Sequence, residues 1–141
     1  MYQIDFKKPI HVHFIGIGGI SMSGLAEILL KEGFTVTGSD SKGSDIVDKL
    51  ISMGAMVNIG QCAANITDQI DLVVYTAAIH KDNEEFAECV KRQLPMLTRA
   101  QLLGQIMNNY KYSVAVAGTH GKTTTTSMLS QIFMEADVDP T

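Results

Sequence analysis

The run Val114-Ala115-Val116-Ala117-Gly118-Thr119-His120-Gly121-Lys122-Thr123 places an apolar segment, two glycines and a Lys-Thr pair directly before a helix-forming stretch. That arrangement suits a polyphosphate. Glycines let backbone N–H groups turn inward around phosphate oxygens, and a helix amino end presents unpaired donors and a favourable dipole. Lys122 would reach the terminal phosphates, and the Thr123 hydroxyl would hold a magnesium ion. Gly118, Thr119, Gly121 and Thr124 complete the candidate nucleotide-contact set. The full spacing G-x-x-x-x-G-K-T wants glycine at 116, where this chain has Val116. The match is therefore to a shortened loop. A plain surface loop with an exposed lysine is the competing reading; the apolar run before and the helix after favour phosphate. His120 lies inside the loop, placed either to touch a phosphate or substrate, or to make a supporting hydrogen bond.

A second glycine cluster, Gly16-Ile17-Gly18-Gly19, also sits between a β-like run and a helical one. The dinucleotide fingerprint G-x-G-x-x-G would put its third glycine at 21, where Ser21 stands. Gly24 would serve helix–sheet packing instead. Asp40 ends the next β-like run, 22 residues after Gly18, where a carboxylate can accept bonds from a ribose. A plain turn or cap is the alternative for Asp40, and a sterically required turn is the alternative for the glycines. The pattern suits a nucleotide or nucleotide sugar better than a nicotinamide cofactor. Thr76, Ala77, His80 and Asn83, with Thr98, fall where parallel strands end, the edge at which such sheets hold ligands. A solvated loop histidine is the other reading of His80. His11 and His13 alternate on a strand and share one face; with no third ligand in view, a zinc site is not expected.

These residues need a scaffold. The chain reads as strands at 11–15, 34–38, 55–59, 71–76, 94–97 and 113–117, with helices at 21–32, 45–53, 83–92, 99–109 and 123–135. Ser21 or Ser23 can cap the first helix, and one helical turn fits 62–68. This β-α-β alternation predicts an α/β fold, a Rossmann-like α/β/α sandwich with a parallel sheet and right-handed crossovers. Composition agrees with a folded globular chain: 141 residues, 45% apolar, 18% charged, formal net charge -4. Mild acidity argues against a general nucleic-acid binder. No apolar run reaches the ~18 residues of a membrane span, and no secretory signal is visible. The two cysteines, Cys62 and Cys89, lack metal-ligand spacing and read as small, at least half-buried side chains of a reducing cytoplasm.

Taken together, residues 14–30, Gly38-Ser39-Asp40 and residues 115–129 resemble the Mur ligase family, and within it the members that add alanine. The peptide-recycling members usually depart from the Gly-Ile-Gly-Gly and Met-Ser-Gly run. The resemblance implies a three-domain cytoplasmic enzyme of peptidoglycan precursor synthesis. It would join L-alanine to the lactyl carboxylate of UDP-N-acetylmuramate through an acyl phosphate, using ATP and Mg2+. By that resemblance Gly16, Gly18 and Gly19 would face the UDP pyrophosphate, Asp40 would lie near the ribose or uracil end, and Thr76, Ala77, His80 and Asn83 would line the same groove. Lys122 would polarise the ATP γ-phosphate beside Thr123 and magnesium. Residues 1–110 would be the UDP-sugar-binding domain, and 111–141 the opening strand, phosphate loop and helix of a truncated ATP-binding P-loop domain. Such a piece is expected to bind UDP-sugar weakly, to bind little ATP and to ligate nothing. Its last segment is expected to pack on the first domain, pair with a second copy or order poorly. The rival readings are a nicotinamide-dinucleotide oxidoreductase domain and a nucleotide sensor without turnover.

Overall fold

A computed structural model describes residues 1–137 and 140. The chain divides into two compact units, Met1–Asn109 and Tyr110–Thr141. The first contains β1 (His11–Ile15), α1 (Ile20–Lys31), β2 (Thr35–Asp40), α2 (Asp45–Ser52), β3 (Met56–Ile59), a 3-10 turn at Ala63–Asn65, β4 (Leu72–Tyr75), α3 (Glu84–Lys91), β5 (Met96–Thr98) and α4 (Arg99–Asn109). The second holds α5 (Lys122–Glu135). The five strands form one sheet in the order β3-β2-β1-β4-β5, and every neighbouring pair is parallel. This is the expected α/β architecture.

Strand composition explains the layers. β1 and β4 lie inside the sheet and are largely buried on both faces, as a sheet covered by helices requires, with His11 and His13 as the polar residues of β1. Ile15 and Val73 pack with Ile66, Ile70 and Cys89 on one face. Val12, Phe14, Leu72 and Val74 alternate with them and are also buried. α1 contacts both α2 and α4, whereas α3 contacts the 3-10 turn. Gly38 on β2 is required by a close approach: a Cβ there would lie 2.7 Å from Ile17 Cδ1 and 3.0 Å from the Phe14 carbonyl oxygen. The residue after Gly16 is thus seated on the sheet only because β2 has no side chain at that point. Pro95 stands just before β5, so its missing N–H costs no ladder bond, and its carbonyl accepts from Val73 N at 2.9 Å.

Several expectations are corrected. Residues 113–117 form no strand. A strand is a ladder, and β-propensity supplies no partner. α1 is capped by neither serine: its N-cap is Gly19, without a side-chain bond, and the Ser23 hydroxyl donates to the Ile20 carbonyl instead. The helical spacing of Ile46, Val47, Leu50 and Ile51 predicts one apolar side of α2; Val47 and Leu50 are buried, but Ile51 is exposed. Cys62 is exposed and only Cys89 is buried. By contrast, α5 needs no correction: Met128 and Ile132, an apolar patch when nothing covers them, are exposed, and no described residue of that helix is buried.

The amino terminus is held in a way that periodicity does not reveal. Gln105 and Asn109, one turn apart on α4, each use both ends of the side-chain amide. Gln105 Oε1 accepts from Ile4 N at 2.8 Å and its Nε2 donates to Tyr2 O at 2.5 Å. Asn109 Oδ1 accepts from Phe6 N, and its Nδ2 donates to Ile4 O, both at 2.9 Å. Two side chains thereby satisfy the backbone of an extended segment that joins no sheet.

Candidate functional site

The strand order reverses direction between β1 and β4, so the connections leaving these strands diverge and open a crevice at their carboxyl ends. The 16–19 turn and the 76–83 loop border it. They approach each other: a Cβ on Gly16 (φ +84) would lie 4.0 Å from Ile79 Cδ1.

The 16–19 turn is internally bonded. Gly16 N and Ile17 N both donate to Ser39 O at 2.9 Å, and Gly19 N donates to Gly16 O at 3.3 Å. Gly18 N donates to Asp40 Oδ2 at 2.8 Å. A Cβ on Gly18 would sit 2.8 Å from that same oxygen, so glycine there admits the carboxylate. Gly18 and Asp40, each expected to face a ligand, face each other. The donors left over lie one step further on. Ser23 N donates to Gly19 O, so the N–H groups of Ile20, Ser21 and Met22 precede the first bond of α1 and lack intrahelical acceptors. Arg99 Nη1 reaches this end of α1 and donates to Ser21 Oγ at 3.0 Å. Anions suit that combination of helix amino end and guanidinium.

In the 76–83 loop, Thr76 O accepts from Ile79 N at 3.1 Å and Thr76 Oγ1 accepts from Ala78 N at 3.3 Å. Ala77 and His80 are exposed. Asn83 is the N-cap of α3. Its Oδ1 accepts from Glu85 N and Phe86 N, and its Nδ2 donates to Gln61 Oε1 at 2.7 Å. Both ends of that amide are engaged, so Asn83 shapes the loop from below.

A partly buried polar cluster runs along β1 and β2. His11 Nε2 and His13 Nδ1 each lie 2.9 Å from Thr37 Oγ1. One hydroxyl has one proton, so at least one of these imidazole nitrogens donates to it. Burial, and then the neighbouring His13, hold His11 below its ordinary 6.5, against the opposing pull of Asp71. The fully buried Glu85 lies 3.5 Å from His13 Nε2. Burial, with Glu85 and Glu88 nearby, pushes the Cys89 thiol up to about 12, which makes it a poor nucleophile.

In the second unit, Gly118 (φ +147) and Gly121 (φ +77) bracket a turn. Lys122 Nζ crosses it and donates to Gly118 O at 2.6 Å. Thr125 N donates to Gly121 O at 2.9 Å, so the N–H groups of Lys122, Thr123 and Thr124 lack intrahelical acceptors. Those donors, the ammonium and the Thr123 hydroxyl fit a polyphosphate. Thr119 and His120 are exposed. Among the described residues no group of three or more His, Cys, Asp or Glu could hold a metal ion.

Sequence reading missed Arg99 and Glu85. The strand-end rule reached Thr98 and stopped one residue short of Arg99. Glu85, in the first turn of α3 beside Glu84, carries no sequence signal that separates it from a surface acid.

The catalytic-domain model of the Mur ligase family matches residues 11–111. The UDP-N-acetylmuramate–L-alanine ligases of Agathobacter rectalis and Lachnospira eligens are 69% and 64% identical over all 141 residues. The chain spans about a third (31%) of the length of each. Two crystal structures superpose closely. UDP-N-acetylmuramate–alanine ligase of Thermotoga maritima gives a TM-score of 0.83 at 32% identity, over 91% of this chain and 30% of that one. The murein peptide ligase of Psychrobacter arcticus gives 0.84 at 33%, over 91% and 27%. With a parallel sheet, a crevice at its strand ends and a family match over most of its length, the chain belongs to the Mur ligase family.

Proposed function

We propose that this chain is the part of an ATP-dependent acid–amino-acid ligase that holds UDP-N-acetylmuramate and supplies the ATP phosphate loop. The whole enzyme would join L-alanine to the lactyl carboxylate in the cytoplasm. The single observation that carries this reading is 69% identity to an alanine-adding ligase along the entire chain. Fold alone does not separate it from the peptide-adding reading, because the two superpositions score 0.83 and 0.84.

In this reading Met1–Asn109 is the nucleotide-sugar unit and Tyr110–Thr141 opens the ATP unit. The diphosphate would lie against the Ile20, Ser21 and Met22 amides with Arg99 beside it. Gly16, Gly18 and Gly19 would shape that bed, with Asp40 locking it from the side. Thr76, Ala77 and His80 would line the opposite wall, above Asn83. Lys122 would leave the Gly118 carbonyl for the terminal phosphates of ATP, with Gly118, Thr119, Gly121 and Thr124 around the chain and His120 at the loop tip. Magnesium at Thr123 would supply charge neutralisation during phosphoryl transfer. The residues' own contribution is orientation and fixed positive potential where negative charge grows.

The test is phosphate release by the full-length protein with UDP-N-acetylmuramate and ATP, offered either L-alanine or a tripeptide bearing an L-alanyl terminus. Release with L-alanine supports the reading; release with the peptide alone assigns the recycling reaction. The 141-residue chain by itself is expected to bind the nucleotide sugar without ligation.

A further inference from the structure

Glu85 has no solvent exposure, yet it carries a carboxylate, a costly group to bury without donors. Its donors come from two elements. Glu85 Oε2 accepts from Ser39 Oγ at 2.5 Å, and Oε1 accepts from Asn65 Nδ2 at 2.7 Å. Each leads to the glycine turn by a separate route. The Ser39 carbonyl accepts from both Gly16 N and Ile17 N. Asn65 Nδ2 also donates to Gly60 O at 2.9 Å. Gly60 N in turn donates to Asp40 O at 2.8 Å, and Asp40 Oδ2 holds Gly18 N. One buried carboxylate thus stands behind three successive amides of the turn.

Stability alone does not call for such a group, since an apolar side chain of similar volume often serves a buried position as well. What a satisfied polar network provides is a fixed geometry. We infer that Glu85 is a positioning residue that sets the Gly16–Gly18 backbone through Ser39 and through Asn65–Gly60–Asp40, and so governs affinity for the nucleotide sugar. This rests on the proposed function above. The carboxylate touches no substrate and acts only through the turn.

Two measurements test it. In the 141-residue chain without ligand, Glu85→Gln is expected to speed amide exchange at Gly16, Ile17 and Gly18 while leaving Val12 and Phe14 protected. In the full-length enzyme the same variant is expected to raise KM for UDP-N-acetylmuramate about tenfold, with kcat and the KM for ATP within about twofold. Ser39→Ala and Asn65→Ala each cut one route and should give smaller rises. Their combination should match Glu85→Gln, and adding Glu85→Gln to the pair should change little more. If Glu85→Gln fails to fold, the two single variants carry the same test. Unchanged exchange at the turn overturns the inference, even if the substrate assignment is wrong. So does faster exchange with an unchanged nucleotide-sugar KM, or a parallel rise in both KM values.

Discussion

The molecule has two glycine turns that look alike in sequence and differ in how they are held. At 16–19 the amides are bonded to Ser39 and Asp40 of the neighbouring strand, and Ile17 is buried against Gly38. At 118–121 the bond across the turn is local, from Lys122 to Gly118, and the run before it forms no strand. The first turn is rigid because a parallel neighbour fixes it. The second has free helix-end donors, and the run before it forms no strand. Spacing specifies which groups meet a phosphate; a strand partner determines how firmly they wait for it.

The contrast can be broken from either side. The largest effect is expected for Lys122→Ala in the full-length enzyme. Nucleotide turnover should fall by about 10³-fold or more, because the ammonium answers charge on the transferring phosphoryl group. Thermal unfolding of Met1–Asn109 should not move. Next comes Gly38→Ala, which places a Cβ inside contact distance of Ile17 and the Phe14 carbonyl. We expect a loss of about 1–3 kcal/mol in denaturant unfolding, together with weaker nucleotide-sugar binding, because Ile17 carries the turn. Gln105→Ala should cost about 1–2 kcal/mol by releasing Ile4 N and Tyr2 O. Proteolysis should then trim the first residues, with the crevice unaffected.

The smallest effect is a pH dependence. His11 is held below its ordinary 6.5 in the folded chain, first by burial and then by His13, with Asp71 opposing. The unfolded chain therefore binds more protons just below that pH. This contribution is present above about pH 6.5 and is lost as pH falls toward the folded value. Chemical denaturation at pH 7.5 and 5.5 should show the loss, and His11→Gln should reduce it.

Much of this was legible beforehand. β1 and β4 are apolar runs that end at glycine or small polar residues, and helical spacing located α1, α2 and α4 to within a residue or two. Three things were hidden for physical reasons. The 113–117 run has strand chemistry but forms no strand, because ladder formation is a property of the fold. Glu85 is two residues past its N-cap, a position where acids are ordinary on the surface; only its donors on β2 and near the 3-10 turn reveal burial. The Gln105–Asn109 strap joins residues about a hundred positions apart, and no local period records it. Asp40 was legible as the end of β2, while its partner, the Gly18 amide, emerged only from the fold.

The place where the nucleotide sugar binds is the central question for this molecule. Titration of the isotope-labelled 141-residue chain with UDP-N-acetylmuramate, followed by amide NMR, addresses it. Shifts concentrated at 16–22, 76–80 and Arg99, with little change along α5, are the predicted result. An unresponsive crevice, or shifts confined to 118–125, would contradict it.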